Sequence, residues 1–397
     1  MHINEVIKNK GTILKREDFI GVRLYGVDIL QYALLGLGTG YRTDLQYKDV
    51  IYTDINQVKL PEDTDLFQLI EGKNLSYVKM PAADYTNYDF KNIYLSNTFF
   101  PRDAIIKPDS QIFQIVKNKD ISYTKLPSGD YSKVDFNDVI MRGVVVNKNS
   151  RLPNKQDFLQ KIQNKSICKM KIQNGIYTNW DFKDVDIEGV LFGKEVIIPV
   201  KENLFIEARN SSINGCTFID KDLSNYNFEN VDIKNCTFIR CKFSRNKQWI
   251  QQVRNKDISN CKFVDCDISS QSFNGVAIKG CRFKGKSILP LHRNFFIELY
   301  DKCAENVELS QNDYSLCDFK GINLNYASFH RKSILPEQYN LFKALSKSNY
   351  IKLTDNIIKK VHLYDLNDIK VNINKYSKNM NINQKLILYF KYNQKEK

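Results

Sequence analysis

The chain has 397 residues, of which 42% are hydrophobic and 26% charged, and a formal net charge of +14. That is ample apolar material for a large core, and no apolar run reaches the ~18 residues that would span a bilayer. The 59 cations divide into 46 Lys and 13 Arg, a balance that disfavours a dedicated nucleic-acid groove, because bidentate contact to phosphate and guanine needs the guanidinium.

Residues 1–16 are polar and read as a helical N-terminal cap. The start, Met1-His2-Ile3-Asn4-Glu5, lacks a cationic segment followed by an apolar one, so no Sec-type signal peptide is expected. Gly36-Leu-Gly-Thr-Gly40 is glycine-rich, but it lacks the Lys and the following helix of a phosphate loop. It reads as a corner where the first coils meet the regular repeat.

From residue 17 to residue 336 the chain repeats. Asp84-Tyr-Thr-Asn-Tyr-Asp-Phe90, Asp130-Tyr-Ser-Lys-Val-Asp-Phe136 and Ile176-Tyr-Thr-Asn-Trp-Asp-Phe182 are copies. Their closing residues Phe90, Phe136 and Phe182 step by 46; Phe228 follows at 46, Phe273 at 45 and Phe319 at 46. A second series, Ile20, Leu66, Ile112, Phe158, Leu204, Ile250, Phe296 and Phe342, steps by 46 throughout, with a Pro shortly before most members. Such self-similarity is the mark of a solenoid.

Inside each unit the apolar residues recur every five positions, as in Leu75, Met80, Tyr85, Phe90, Leu95 and Phe100. A period of five fits neither a helix nor a strand. It fits a coil that turns a corner every five residues and sends one side chain per side to the axis. Six pentapeptides leave about 16 residues per unit for a second element. Leu66-Phe67 with Ile70, preceded by Pro61 and closed by Gly72-Lys73, predicts a helix of two to three turns. If that helix takes the place of coil sides, all helices share one face; if it merely bulges from a corner, successive helices alternate between opposite faces.

Thr-Asp-Leu45, Val-Asp-Phe136, Val-Asp-Ile187, Cys-Asp-Ile268, Cys-Lys-Phe263 and Cys-Asp-Phe319 resemble the pentapeptide-repeat family, over roughly residues 17–330. The resemblance implies a mainly β solenoid, a right-handed quadrilateral β-helix, here with a short α-helix inserted in each 46-residue repeat. Its structural ladder would be Phe90, Phe136, Phe182, Phe228, Phe273 and Phe319. Cys216, Cys236, Cys241, Cys261, Cys266, Cys281 and Cys317 each stand two residues before an apolar centre, the slot that takes small residues in this family. They read as reduced core filling, and with them goes a cytoplasmic setting or delivery to another cell by a route that reads no Sec signal. Tyr88, Trp180 and Tyr226 occupy the same slot. Rings that large either widen the coil or turn outward and pack under a helix.

Three parts are therefore expected: an N-terminal cap (1–16), a solenoid of about seven units (17–336) and a basic, partly helical C-terminal cap (337–397). Residues 334–397 hold 12 Lys and 5 acidic residues, and Lys352, Lys359 and Lys360 are the candidate basic contact. None of the four histidines pairs with a Cys or Ser in a recognisable catalytic arrangement. No cofactor, metal site or membrane contact is expected, and Cys168 and Cys303, outside the ladder, lack neighbours that would activate them. The expected function is a non-enzymatic interaction scaffold for a protein partner, similar to the bacterial effectors of this family. The alternatives are a topoisomerase-binding, quinolone-protection-like protein, which an excess of positive charge disfavours, and a nucleic-acid-binding solenoid, which the charge suits.

Overall fold

The structure, a computed structural model, describes residues 1–25, 53–330, 332–334 and 336. The chain divides into two compact units, Met1–Pro199 and Val200–Lys397. The division falls within the span read as one solenoid, and the expected cap 337–397 lies outside the described residues.

The first unit opens with a helix, Ile3–Lys10, whose start is closed by His2: its ring accepts from the Asn4 N–H, and the Glu5 side chain accepts from the His2 N–H. Ile3 and Val6 are buried, which fixes the helix against the chain below. From residue 53 to the end of the unit the backbone winds in parallel coils. Asn74 bridges Tyr94, Lys79 bridges Phe99 and Asp84 bridges Ile105, each across one plain coil. Phe99 then bridges Lys125 across a coil that the helical piece enlarges. Plain and enlarged coils alternate, and one of each makes the 46-residue unit. Residues 46 apart therefore return to the same place two coils later.

Each coil passes through four steps of the pentapeptide rhythm. In the first unit the centres of the first step are Leu75, Leu95, Ile121, Met141, Ile167 and Ile187; those of the second are Met80, Phe100, Leu126, Val146, Ile172 and Phe192. The third runs Tyr85, Ile106, Tyr131, Leu152, Tyr177 and Ile198. All are buried. The fourth step alternates between a phenylalanine (Phe90, Phe136, Phe182) and a helical turn.

The Asp before many centres has a defined role. Asp84 accepts from the Thr86 N–H at 2.9 Å, Asp130 from Ser132 at 3.0 Å and Asp181 from Lys183 at 3.0 Å. A carboxylate that caps the backbone two residues on holds the corner. Hydrogen bonds from Ser132 accordingly keep the Asp130 carboxyl below its ordinary range.

The helical element is shorter than the sequence predicts. In the first unit it is a single turn, at Leu66–Leu69, Ile112–Ile115 and Phe158–Lys161. The apolar i, i+1, i+4 pattern is real, but its last member is extended: Ile70, Val116 and Ile162 have ψ of 151°, 157° and 157° and are buried. Each plugs the core only by leaving the helix. The next residue but one, Gly72, Asn118 or Asn164, takes positive φ, the region open to Gly and tolerated by Asn.

The second unit repeats this plan with turns at Leu204–Glu207 and Trp249–Gln252. The second turn starts one position early for a step of 46, so the marker series slips here: Trp249, not Ile250, takes the place of Leu204. The coil itself is one residue shorter, since Thr237 pairs with Lys262, one position sooner than the spacing of Phe99 and Lys125 would give. Phe228 and Phe273 register the same shift. The series also fails at Ile20, which is 59% exposed while Phe19 is buried. Strands Thr217–Ile219, Thr237–Ile239, Lys262–Val264 and Arg282–Lys284 pair in parallel. Their central rings Phe218, Phe238, Phe263 and Phe283 stack at 5.7, 5.3 and 5.6 Å with interplanar angles of 7°, 19° and 9°.

Candidate interaction surface

The six phenylalanines of the expected ladder are all buried, but they do not lie on one another. Within each unit successive members are two coils apart, and a helical turn fills the coil between. Phe136 packs against Phe113 below at 5.2 Å and Phe158 above at 5.4 Å. Phe90 meets Phe67, Phe273 meets Phe295 and Phe319 meets Phe296. Phe228 lies between Phe205 and Trp249. Phe182 touches Trp180.

The large rings in the small-residue slot pack beneath the helical turns, the second of the two alternatives. Tyr88 stacks on Phe67 at 5.0 Å, Trp180 on Phe158 at 5.2 Å and Tyr226 on Phe205 at 4.9 Å. Tyr88 also donates its hydroxyl to the Pro61 carbonyl, and Trp180 its indole N–H to the Pro153 carbonyl. The prolines that lead into the turns are thus fastened from below.

A second fastening is invisible to hydrophobic pattern reading. Gln68 donates its amide to the carbonyls of Asp89 and Lys91; Gln114 does the same to Asp135 and Asn137, and Gln160 to Asp181 and Lys183. Gln251 repeats it with Ser272 and Asn274. A glutamine in the third place of the turn is the signal, present in Leu66-Phe-Gln68 and Ile112-Phe-Gln114.

The slot cysteines are more than filling. Cys236 donates to the Ile213 carbonyl at 2.9 Å, Cys261 to Ile233 at 3.0 Å and Cys281 to Ile258 at 2.9 Å. Thr98 makes the same kind of bond to the Leu75 carbonyl. At these four positions the slot holds a short donor that reaches the coil beneath. Burial pushes the Cys236 and Cys281 thiols well up, Cys241 to about 12 and Cys266 to about 11. Every cysteine is free, and Cys303 alone is not buried. A maleimide added to the native protein is therefore expected to label Cys303 fast and the other eight slowly. Rapid labelling of five or more before denaturant is added would contradict the buried ladder.

Outside the core, one surface is set apart by its charge. In the first unit the residues just before the second-step centres form a continuous column, Lys79, Phe99, Lys125, Val145, Lys171 and Leu191. Each bridges the next in parallel register. Two places beyond alternate centres stand Arg102, Lys148 and Lys194, all exposed. These six steps, each taken from two places before its centre to two after, carry six cations and no carboxylate. Asp103 and Glu195 follow just past the ends of two of them. The Lys125 ammonium lies 4.3 Å from the centroid of the Phe99 ring, which is 39% exposed. Burial and the neighbouring Arg102 charge lower the Lys125 pKa, against the opposing pull of Asp103. At the base of the column Lys79 reaches Asp54 at 3.7 Å. In the second unit the corresponding step is mixed, with Asp220 bonded to Arg240 and Glu308 to Lys284.

Lys352, Lys359, Lys360 and His362 lie outside the described residues. Cys168 is buried and its thiol pushed up. Among the described residues no cluster of three His, Cys, Asp or Glu is placed to hold a metal ion. Nor is any described helix long and apolar enough to cross a membrane.

No family model and no curated protein matches the sequence. Among solved structures, the chain is similar to HetL, a pentapeptide repeat protein involved in heterocyst differentiation regulation from the cyanobacterium Nostoc. The two share 12% identity over 66% of this chain and 83% of that one, with a TM-score of 0.16. It is also similar to QnrB1, a plasmid-mediated fluoroquinolone resistance protein, with 11% identity over 78% of this chain and 94% of that one and a TM-score of 0.13. The β-solenoid itself is read from the parallel coils.

Proposed function

We propose that the chain is a right-handed, four-sided β-helix of the pentapeptide-repeat kind, with a helical turn in every second coil, and that it acts without catalysis as a scaffold binding another macromolecule. The observation that carries this reading is the register of the coils. An interior filled by ladders leaves the chemistry to the outer rows, where each row repeats a side chain every two coils. A protein partner suits such rows, and delivery as a bacterial effector is the setting that the family resemblance implies. The topoisomerase-binding alternative requires a surface imitating a polyanion, and a net charge of +14 works against it.

The test is an immobilised full-length chain challenged with cell extract and eluted by rising salt. A saturable partner is expected, held more weakly when Lys352, Lys359 and Lys360 are changed to Gln if the tail joins the contact, with melting unchanged. Turnover of a substrate by the purified chain would overturn the non-enzymatic reading.

A further inference from the structure

We propose that the second-step surface of the first unit, between Lys79 and Lys194, is a docking track for single-stranded nucleic acid. This rests on the scaffold reading and specifies one of its outer rows. In the sequence these cations are scattered, with no run of interleaved Arg and aromatic residues to mark such a surface. The winding assembles them. Lys79, Lys125 and Lys171 recur at the step of 46, and the bridges place them two coils apart in one column, about 9–10 Å from one to the next. Arg102, Lys148 and Lys194 fall on the intervening coils, at the far end of the step. One cation therefore appears at every coil, alternately to either side of the row, over about 24 Å of rise.

Three features give the track its preference. The six steps contain no carboxylate, so the one acid of the column that competes with a phosphate is Asp54, paired with Lys79 at the base. Among the described residues the side chains of Arg102 and Lys148 have no ion-pair partner, and both residues are exposed. Phe99, Val145 and Leu191 separate the lysines of the column, and Phe99 supplies an exposed ring of the kind on which single-strand sites stack bases. Phe99 further holds the Lys125 ammonium at the surface. A duplex would meet this row along one line of phosphates and leave the apolar residues without contact. The row offers no helix or two-stranded ribbon with which to read a major groove. A flexible strand can follow the alternating cations and turn its bases onto the apolar residues. Lysine-rich contact of this kind fixes position without reading sequence.

The experiment is fluorescence anisotropy of a labelled oligothymidylate of about 20 nucleotides with the full-length chain, repeated across salt. Six phosphate contacts predict a slope of log affinity against log salt near −4, from about 0.7 counterions released per contact. Changing Arg102, Lys125 and Lys148 to Gln together is expected to weaken binding about tenfold or more and bring the slope to about −2, with melting unchanged. The tail variant with Lys352, Lys359 and Lys360 changed to Gln is expected to bind within about twofold of the parent. Should the triple variant melt early, Arg102→Gln with Lys148→Gln, both exposed, serves in its place and is expected to bring the slope to about −3.

Failure to bind the oligothymidylate at about 50 mM salt, a slope that the substitutions leave unmoved, or tighter capture of an equal-length duplex or of polyglutamate would each overturn the assignment. A chain that ignores the oligonucleotide but keeps a protein partner leaves the scaffold standing without the track. A chain that turns over a substrate removes the scaffold reading whatever it binds.

Discussion

Replacing Phe136 by Asp is expected to cost the first unit several kcal/mol of stability at neutral pH. Phe136 is 3% exposed and lies between Phe113 and Phe158, so a carboxylate there would face rings rather than donors. An uncompensated buried charge costs several kcal/mol, out of a total stability of about 5–15 kcal/mol for an ordinary domain. Phe136→Leu separates charge from volume, and is expected to cost roughly 1–2 kcal/mol while keeping a single transition. The pH dependence adds a signature. Burial would raise the new carboxyl's pKa above its unfolded value, so its damage is smallest below about pH 4 and grows as pH rises through the folded pKa. The deficit relative to the parent, measured at each pH by urea unfolding, should widen from acid to neutral. A variant that melts with the parent would mean that the fourth step is not part of the core.

Much of this architecture is legible in the sequence because a solenoid writes its geometry as periodicity. The step of five gives the buried centres, and the step of 46 implies that a feature returns to one place. What is hidden lies between coils. The slip at Trp249 leaves no trace in the marker series, since Ile250 is as apolar as the residue it would replace. The step of 45 from Phe228 to Phe273 hints at it, and the shortened pairing of Thr237 with Lys262 places it. The helix is overestimated for a related reason: Ile70 has the right spacing for a helical face, yet it serves as an extended plug. The cysteines read as small apolar residues because a thiol's bond to a carbonyl depends on a neighbour one coil below, as with Cys236 and Ile213. The basic row is hidden most completely. Lys79, Arg102, Lys125 and Lys148 are ordinary surface residues in the chain, and become one feature only because plain and enlarged coils alternate.

Trp180→Ala is expected to be the costliest neutral substitution in the first unit. Trp180 is fully buried, stacks on Tyr177 at 4.1 Å and on Phe158 at 5.2 Å, and donates to the Pro153 carbonyl at 2.7 Å. Truncation leaves a cavity the size of an indole, for which a loss of about 3–5 kcal/mol is usual. Trp180→Phe keeps a ring in the slot and removes the donor, leaving the buried Pro153 carbonyl short of a partner, at a cost of about 1–2 kcal/mol. Both substitutions loosen the helical turn Phe158–Lys161, which Gln160 also holds through Asp181 and Lys183. The two fastenings act on the same few residues, so they should couple. In a double-mutant cycle of Trp180→Phe and Gln160→Ala, the combined loss is expected to differ from the sum of the single losses by about 0.5 kcal/mol or more. Amide exchange at Phe158–Lys161 should quicken in each single variant before the rest of the unit opens. Strict additivity, with exchange in the turn unchanged, would show that the turn is held by its own buried side chains, Phe158 and Leu159, and that neither the indole nor the glutamine fastens it.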